Sequence, residues 1–271
     1  MPKKILLFLI PVLLLSCKSL APGAEQPVSE GGFWNSGRFR QGLVFFGVSG
    51  GYYVSRNRAV DLALRDAARR LSFYHSVEAF IQFDETYYRQ FQGSQIDTAR
   101  GLIHDEDYEK YIGALEFDPE QDVYEDDNVL FVRAGYTGPD AAPVNSVPSP
   151  PPRAFRSGAQ KPSWIESPPS RIDGRPASIG FSGPRLSYKD TLTASYEDAV
   201  FALVQNYFYA VAAGQTAGNT EAGDCSAARA AGVVMGFYVL ETWTDSVTGG
   251  VWTLAVAREV KSGIVSGELT E

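Results

Sequence analysis

The sequence predicts an α+β fold of two tandem modules, each an amphipathic helix packed on a small antiparallel sheet. The first observation is a repeated glycine-rich stretch, FGVSG at residues 46–50 and IGFSG at residues 179–183. The second is that an apolar run of helical period follows each stretch and has an acid–alanine pair at its middle, Asp66-Ala67 and Asp198-Ala199. The third is that a tryptophan precedes each stretch and an apolar strand closes each copy. These are Trp34 and residues 129–134 in the first copy, and Trp164 and residues 251–257 in the second. Self-similarity on this scale indicates one supersecondary unit used twice.

The amino terminus has the pattern of a secretory signal peptide. Lys3 and Lys4 precede an apolar run at residues 5–15, which is shorter than the roughly 20 residues that a membrane-spanning helix needs. Cys17 follows Leu14-Leu15-Ser16, a segment that resembles a bacterial lipoprotein signal. We therefore expect residues 1–16 to be removed and Cys17 to be lipidated. Acyl chains on Cys17 would hold the protein on a membrane without spanning it.

The charge balance argues against one class of partner, and the position of the second cysteine indicates its role. The formal net charge is −8, and it becomes −10 when Lys3 and Lys4 are removed with the signal peptide. An acidic chain is repelled by phosphate backbones, so nucleic acid is not an expected partner. Cys225 is left without a second cysteine once Cys17 is modified, and we interpret it as a small apolar residue.

Composition divides the chain into five segments. Residues 1–16 are the signal peptide, and residues 17–31 are rich in Ser, Pro, Gly, Ala and Glu, as in a flexible tether. Residues 32–137 are predicted to form the first module and residues 163–263 the second. Residues 138–162 contain seven prolines, which favours an extended polyproline II spacer between modules that fold separately.

Each module has a predicted order of elements. In the first, a strand at 43–48 runs into the glycines, Ser55 or Asn57 caps a helix through Leu71, and a half-buried strand follows at 76–83. Residues 113–117 and 123–124 then pair with 129–134. In the second, Ser187 with Asp190 caps the helix, a strand is predicted at 207–211, and residues 233–243 form a hairpin with 251–257. Alanines on the inner helix faces and glycines in the strands predict a close helix–sheet approach.

Several of these residues carry a resemblance to a known family. Trp164 with Pro168-Pro169, the glycine stretch, the alanine-rich helix and Trp243-Thr244-Asp245 resemble the twenty-kilodalton bacterial outer-membrane lipoprotein family. The fold of that family is also similar to the amino-terminal domain of the flagellar T-ring protein. The first copy has Tyr124 where the second has Trp243. The resemblance implies a non-enzymatic envelope component, anchored by lipid to the outer membrane and without a cofactor.

One motif offers an enzymatic alternative. Residues 47–51 satisfy the G-x-S-x-G pattern of a nucleophile elbow, which would make the chain a secreted serine hydrolase with Ser49 as nucleophile. Asp84 or Asp97 with His104 would have to complete the triad. The second copy keeps Ser182 but has no histidine after it, so we interpret the repeated serine as a turn residue rather than a catalytic one.

The acidic run between Asp105 and Asp127 offers carboxylate oxygens, the ligands that a calcium-binding loop uses. Val123 stands where such a loop requires glycine, and Val129 stands where it requires the bidentate Glu. A solvated acidic loop is the preferred interpretation. His75 is expected to be a polar junction residue, and no metal site is predicted.

The difference between the copies points to a partner surface. The first copy has about ten more residues between its helix and its closing strand, and these are aromatic residues interleaved with acids. Tyr supplies contact area with few rotatable bonds and is enriched in interfaces. The candidate partner-binding residues are Tyr87, Tyr88, Phe91, Tyr108 and Tyr111, with an enlarged core as the competing explanation. A receptor for a small ligand or glycan between the modules is a further alternative.

Overall fold

The computed structural model describes residues 42–51, 53–84, 98–104, 107–126, 129–141, 160–216 and 227–264. Within them the chain is α+β, as the sequence predicts, with helices packed on antiparallel sheets. The helices are α1 (Arg56–His75), α2 (Glu109–Ile112), α3 (Ser163–Glu166) and α4 (Tyr188–Thr216). The strands are β1 (Leu43–Val48), β2 (Val77–Asp84), β3 (Thr98–His104), β4 (Val123–Asp126), β5 (Val129–Tyr136), β6 (Arg171–Ile172), β7 (Arg175–Ser182), β8 (Ala227–Met235), β9 (Tyr238–Thr244), β10 (Val251–Val256) and β11 (Glu259–Ile264).

These strands form three sheets. The first sheet has the order β1-β5-β4, and the second has the order β6-β7-β10-β9. The third, called the shared sheet below, has the order β11-β8-β2-β3. In it β2 from the amino-terminal half pairs antiparallel with β8 from the carboxy-terminal half, from Val77 opposite Val234 to Asp84 opposite Ala227. The two predicted modules therefore contribute strands to one sheet.

The repeated glycines let each long helix lie close to its sheet. A Cβ added to Gly47 would lie 1.8 Å from the carbonyl oxygen of Ala63 in α1. A Cβ added to Gly180 would lie 2.0 Å from the carbonyl oxygen of Ser195 in α4. No side chain fits at either distance, so the close approach predicted from the alanines and glycines is present in both halves.

The acid of each acid–alanine pair fastens the helix to the strand below it. An Asp66 carboxylate oxygen accepts a hydrogen bond from the Val48 backbone N–H at 2.9 Å. Asp198 makes the same contact with the Phe181 backbone N–H, also at 2.9 Å. The predicted caps are present as well, because the Ser55 hydroxyl accepts from the Arg58 N–H and the Ser187 hydroxyl accepts from the Asp190 N–H.

Two predicted strands of the second half are wrong. Residues 207–211 belong to α4, which continues to Thr216, so the alternation of tyrosines there does not mark a strand. The predicted strand at 233–243 is divided between β8 in the shared sheet and β9 in the second sheet. Gly236 causes the division, since its φ is +69° and its N–H donates to the Tyr74 carbonyl rather than to a neighbouring strand.

The hydrophobic interior consists of two clusters, and both contain residues from the two halves. One cluster joins Val48 and Phe131 of the first sheet to Leu192 of α4. The other joins Phe45 and Tyr74 to Tyr238 and Leu254. The halves therefore share buried apolar surface as well as a sheet. Among the helices in the described ranges, none has both the length and the hydropathy required to cross a bilayer.

Candidate functional site

A cavity lies where the two halves meet, and we call it the junction cavity. Its volume is about 40 Å³, which is room for roughly three water molecules. Strand β1, helix α1, the first turns of α4 and the start of β9 enclose it, so both halves supply its wall. The residues lining it are Val44, Phe45, Phe46, Asp66, Arg69, Arg70, Phe73, Thr193, Tyr196, Phe237, Tyr238 and Val239.

A buried ion pair forms the polar part of this cavity. An Arg70 guanidinium nitrogen donates to Asp66 at 2.8 Å, and the two side chains are only 11% and 3% exposed. Burial opposes the charge on Arg70, but the Asp66 carboxylate outweighs it, so the pKa of Arg70 is raised above its ordinary value. The guanidinium also lies 4.2 Å above the centre of the Tyr196 ring in α4. Asp66 thereby connects β1, α1 and, through Arg70, the second half.

A second polar contact crosses the same junction at its rim. Arg69 of α1 donates to Glu197 of α4 at 3.1 Å, and both side chains are about one-third exposed. The junction cavity therefore combines aromatic walls with cations that already have carboxylate partners. Its volume is below the roughly 300 Å³ at which pockets for drug-sized ligands begin, so the space suits a ligand of a few atoms.

Ser49, the candidate nucleophile, lies inside the first sheet. Its side chain is 1% exposed, and its hydroxyl oxygen accepts from the Leu130 backbone N–H at 3.0 Å. The Ser49 backbone N–H in turn donates to the Leu130 carbonyl at 2.8 Å. Residue 49 thus continues the β1–β5 pairing by one residue after the strand ends. His104 lies in β3, and Asp97 lies outside the described residues.

The acidic segment is solvated only in part. Asp122 is completely buried, and an Arg133 guanidinium nitrogen donates to its carboxylate at 2.6 Å. The other Asp122 oxygen accepts from the Asp118 backbone N–H at 2.9 Å. The expectation of a wholly solvated loop is wrong at this residue, because Arg133 of β5 offers a buried cation that the run of acids does not reveal. In the described ranges, no three His, Cys, Asp or Glu side chains are grouped so that they could hold a metal ion.

The candidate partner-binding residues are only partly placed. Tyr87, Tyr88 and Phe91 lie outside the described residues, whereas Tyr108 precedes the short helix α2, Tyr111 lies within it, and both are half-buried. The Tyr111 ring stacks on His75 with 4.9 Å between ring centres, and His75 Nδ1 lies 3.0 Å from a carboxylate oxygen of Asp140. Tyr111 therefore packs against the end of α1, as a residue that caps the core would.

Sequence reasoning missed a row of three aromatic residues on the second sheet. Trp252 of β10 lies directly opposite Phe181 of β7 on one side and opposite Trp243 of β9 on the other. We call these three residues the aromatic row. Trp243 is prominent in the sequence, but a single chain gives no information on strand register, and register is what brings the three rings together.

The tryptophans and cysteines noted in the sequence are only partly within the described residues. Trp164 of α3 packs, partly buried, against the cluster that contains Leu254, as expected of a residue that fills a core. Cys17, Trp34 and Cys225 lie outside the described residues. Comparison of the chain with protein-family models, with curated proteins and with solved structures yields no match.

Proposed function

We propose that this protein is a lipid-anchored lipoprotein of the cell envelope, attached to the outer membrane through Cys17, that acts as a non-enzymatic interaction or scaffolding component. The observation that carries the proposal is Cys17 itself, placed directly after a basic start and an apolar run at residues 5–15. The tether at residues 17–31 would then separate the folded part from the membrane surface.

Exchange of Cys17 for Ala tests the attachment. In detergent phase partition, the wild-type protein should enter the detergent phase and the Cys17→Ala protein the aqueous phase, because the acyl chains are lost. Cys225→Ala is the matched control and should partition like the wild type. Equal partition of the wild-type and Cys17→Ala proteins would exclude lipid attachment at this residue.

The structural hydrogen bonds of three buried polar side chains support an interaction role. Ser49, Asp66 and Asp122 each make structural contacts with a backbone N–H. These contacts give each of them a role in folding, which favours a scaffold over the alternative of a serine hydrolase built on Ser49. The proposed partner surface is the aromatic segment of the first half, which includes Tyr108 before α2 and Tyr111 within it.

That surface is tested by crosslinking in intact cells. Tyr87, Tyr88 and Phe91 are replaced together by Ser, and Tyr111→Ala is made separately. A partner surface predicts that the triple variant keeps the wild-type melting temperature and loses its crosslinked partners. Tyr111→Ala should lower the melting temperature, since its ring packs on His75. A triple variant that retains every partner would contradict the proposal.

A second candidate function is a receptor for a small ligand between the halves. The junction cavity favours it, because Phe45, Phe46, Phe73 and Tyr196 give it aromatic walls. A ligand of this cavity should raise the melting temperature of the wild type but not that of a Val239→Phe protein, whose larger side chain would fill the space. Equal stabilisation of both proteins would place the ligand elsewhere.

A further inference from the structure

Three polar side chains that line the junction cavity have unused hydrogen-bonding groups. Arg70 of α1 donates from Nε and Nη2 to Asp66, and no acceptor for its Nη1 is found among the described residues. The hydroxyls of Thr193 and Tyr196 in α4 likewise have no hydrogen-bond partner in the described ranges. Tyr196 is nevertheless only 6% exposed. Because buried polar groups are normally paired, these three groups indicate a ligand or water between them.

The packing of α1 on α4 holds these groups close together. The guanidinium carbon of Arg70 lies 4.2 Å from the centre of the Tyr196 ring. Thr193 precedes Tyr196 by three residues, and side chains three apart on a helix are neighbours on one face. Both of these residues line the same cavity as Arg70. The guanidinium and the two hydroxyls are therefore within reach of one small molecule.

The chemistry of these groups determines which ligand atoms they can bind. A guanidinium nitrogen can only donate hydrogen bonds, so Arg70 Nη1 requires an acceptor. Burial raises the pKa of Tyr196, so its hydroxyl keeps its proton and can donate as well. The Thr193 hydroxyl can accept a hydrogen bond from a ligand N–H. Two donors and one acceptor match the carbonyl oxygen and the N–H group of an amide.

The charges around the cavity favour a neutral ligand. Arg70 is paired with Asp66 at 2.8 Å, and Arg69 is paired with Glu197 at 3.1 Å. Each of these cations already has a carboxylate partner, so a carboxylate ligand would add an uncompensated negative charge to a buried space. An amide adds no charge. The aromatic rings that form the rest of the wall suit a methyl or other short apolar group on the amide.

We propose that the junction cavity binds a small neutral amide. The amide oxygen accepts hydrogen bonds from Arg70 Nη1 and from the Tyr196 hydroxyl, and the amide N–H donates to the Thr193 hydroxyl. The cavity volume of about 40 Å³ suits an amide of a few atoms, such as acetamide. This inference names the ligand class for the receptor function proposed above and rests on that function, and it is independent of lipid attachment.

Saturation-transfer NMR on the full-length protein tests the proposal. Magnetisation that passes from the protein to the methyl protons of acetamide is measured as the acetamide concentration rises, and acetate is the charged probe with the same methyl group. The wild type should give a saturable acetamide signal and bind acetate more weakly. Tyr196→Phe should keep the melting temperature and weaken acetamide binding by about tenfold, because one hydrogen bond is lost. Tyr188→Phe is the matched control, since Tyr188 lies on the same helix outside the cavity lining, and it should bind acetamide like the wild type.

The Val239→Phe protein locates the bound acetamide. It should lose the acetamide signal, because the larger side chain fills the cavity; a signal that persists would place acetamide elsewhere and overturn the proposal. A wild-type protein without a saturable signal, equal acetamide affinities of the wild type and Tyr196→Phe, or tighter binding of acetate than of acetamide would each overturn it too. If acetamide fails but another ligand stabilises the wild type and not Val239→Phe, only the amide class is wrong and the receptor function stands.

Discussion

At the scale of single residues, two glycines set the distance between each long helix and its sheet. Gly47 and Gly180 occupy positions where even a methyl group would meet the helix backbone. Backbone atoms cannot move aside as the end of a flexible side chain can. The same residue type recurs in both halves because both helices make the same close approach.

Replacement of these glycines by alanine gives the first prediction. Gly47→Ala and Gly180→Ala should each lower the free energy of unfolding by about 3 kcal/mol or more, since the helix must move away from the sheet. Gly50→Ala and Gly183→Ala are the matched controls, because an added Cβ meets no atom within 4 Å at either position. They should change stability by less than about 1 kcal/mol in urea unfolding. Similar losses of unfolding free energy in all four proteins would show that steric contact between the added Cβ and the helix is not the cause.

Ser49 gives the second prediction. Ser49→Ala should cost about 1–3 kcal/mol, because the buried Leu130 N–H loses its acceptor. Urea unfolding measures the loss, and a p-nitrophenyl ester assay is run on the same protein. Esterase activity that is present in the wild type and vanishes in a folded Ser49→Ala protein would instead assign Ser49 to catalysis.

At the scale of elements, the free edge of β1 is closed by a side chain from the other half. Strand β1 is at the end of its sheet, with β5 as its neighbour. The Tyr238 hydroxyl accepts from the Val44 N–H and donates to the Val44 carbonyl, both at 3.1 Å. Exposed edges invite pairing with other chains, so this contact protects β1 and joins the halves.

The third prediction concerns Tyr238 and the fall of the free energy of unfolding at alkaline pH. Burial raises the pKa of Tyr238 above its ordinary value, so the folded state holds the phenolic proton more tightly than the unfolded state. Its contribution is therefore complete below about pH 10 and is lost as the pH rises above it. Tyr238→Phe should lower stability by about 1–3 kcal/mol near neutral pH, because Val44 loses its partner. It should also flatten the fall in unfolding free energy at high pH, and an unchanged slope would contradict this.

The elements also show what sequence patterns could and could not predict. The long helices and their caps depend on neighbours within a few residues, and each glycine contact joins a strand to the helix that directly follows it, so periodicity and residue type predicted them. The length of α4 was missed because alternating Tyr207 and Tyr209 resemble a strand inside an alanine-rich helix. The aromatic row and the Asp122–Arg133 pair depend on strand register, which a single sequence does not encode in any local pattern.

At the scale of the whole molecule, the shared sheet changes what the proline-rich segment does. The sequence predicts modules that fold separately on either side of residues 138–162. The pairing of β2 with β8 and the mixed hydrophobic clusters favour halves that depend on each other. In this account the shared sheet and the mixed clusters hold the two halves together, so an intact chain between the halves is not needed for their cohesion.

Cleavage of the chain between the halves tests whether the shared sheet holds them together. A site for a specific protease is placed at residues 144–147, and the protein is cut under native conditions and passed over a gel-filtration column. The two fragments should elute together and unfold in one thermal transition, because β2 and β8 still pair after the cut. Fragments that elute separately, each with its own transition, would contradict it.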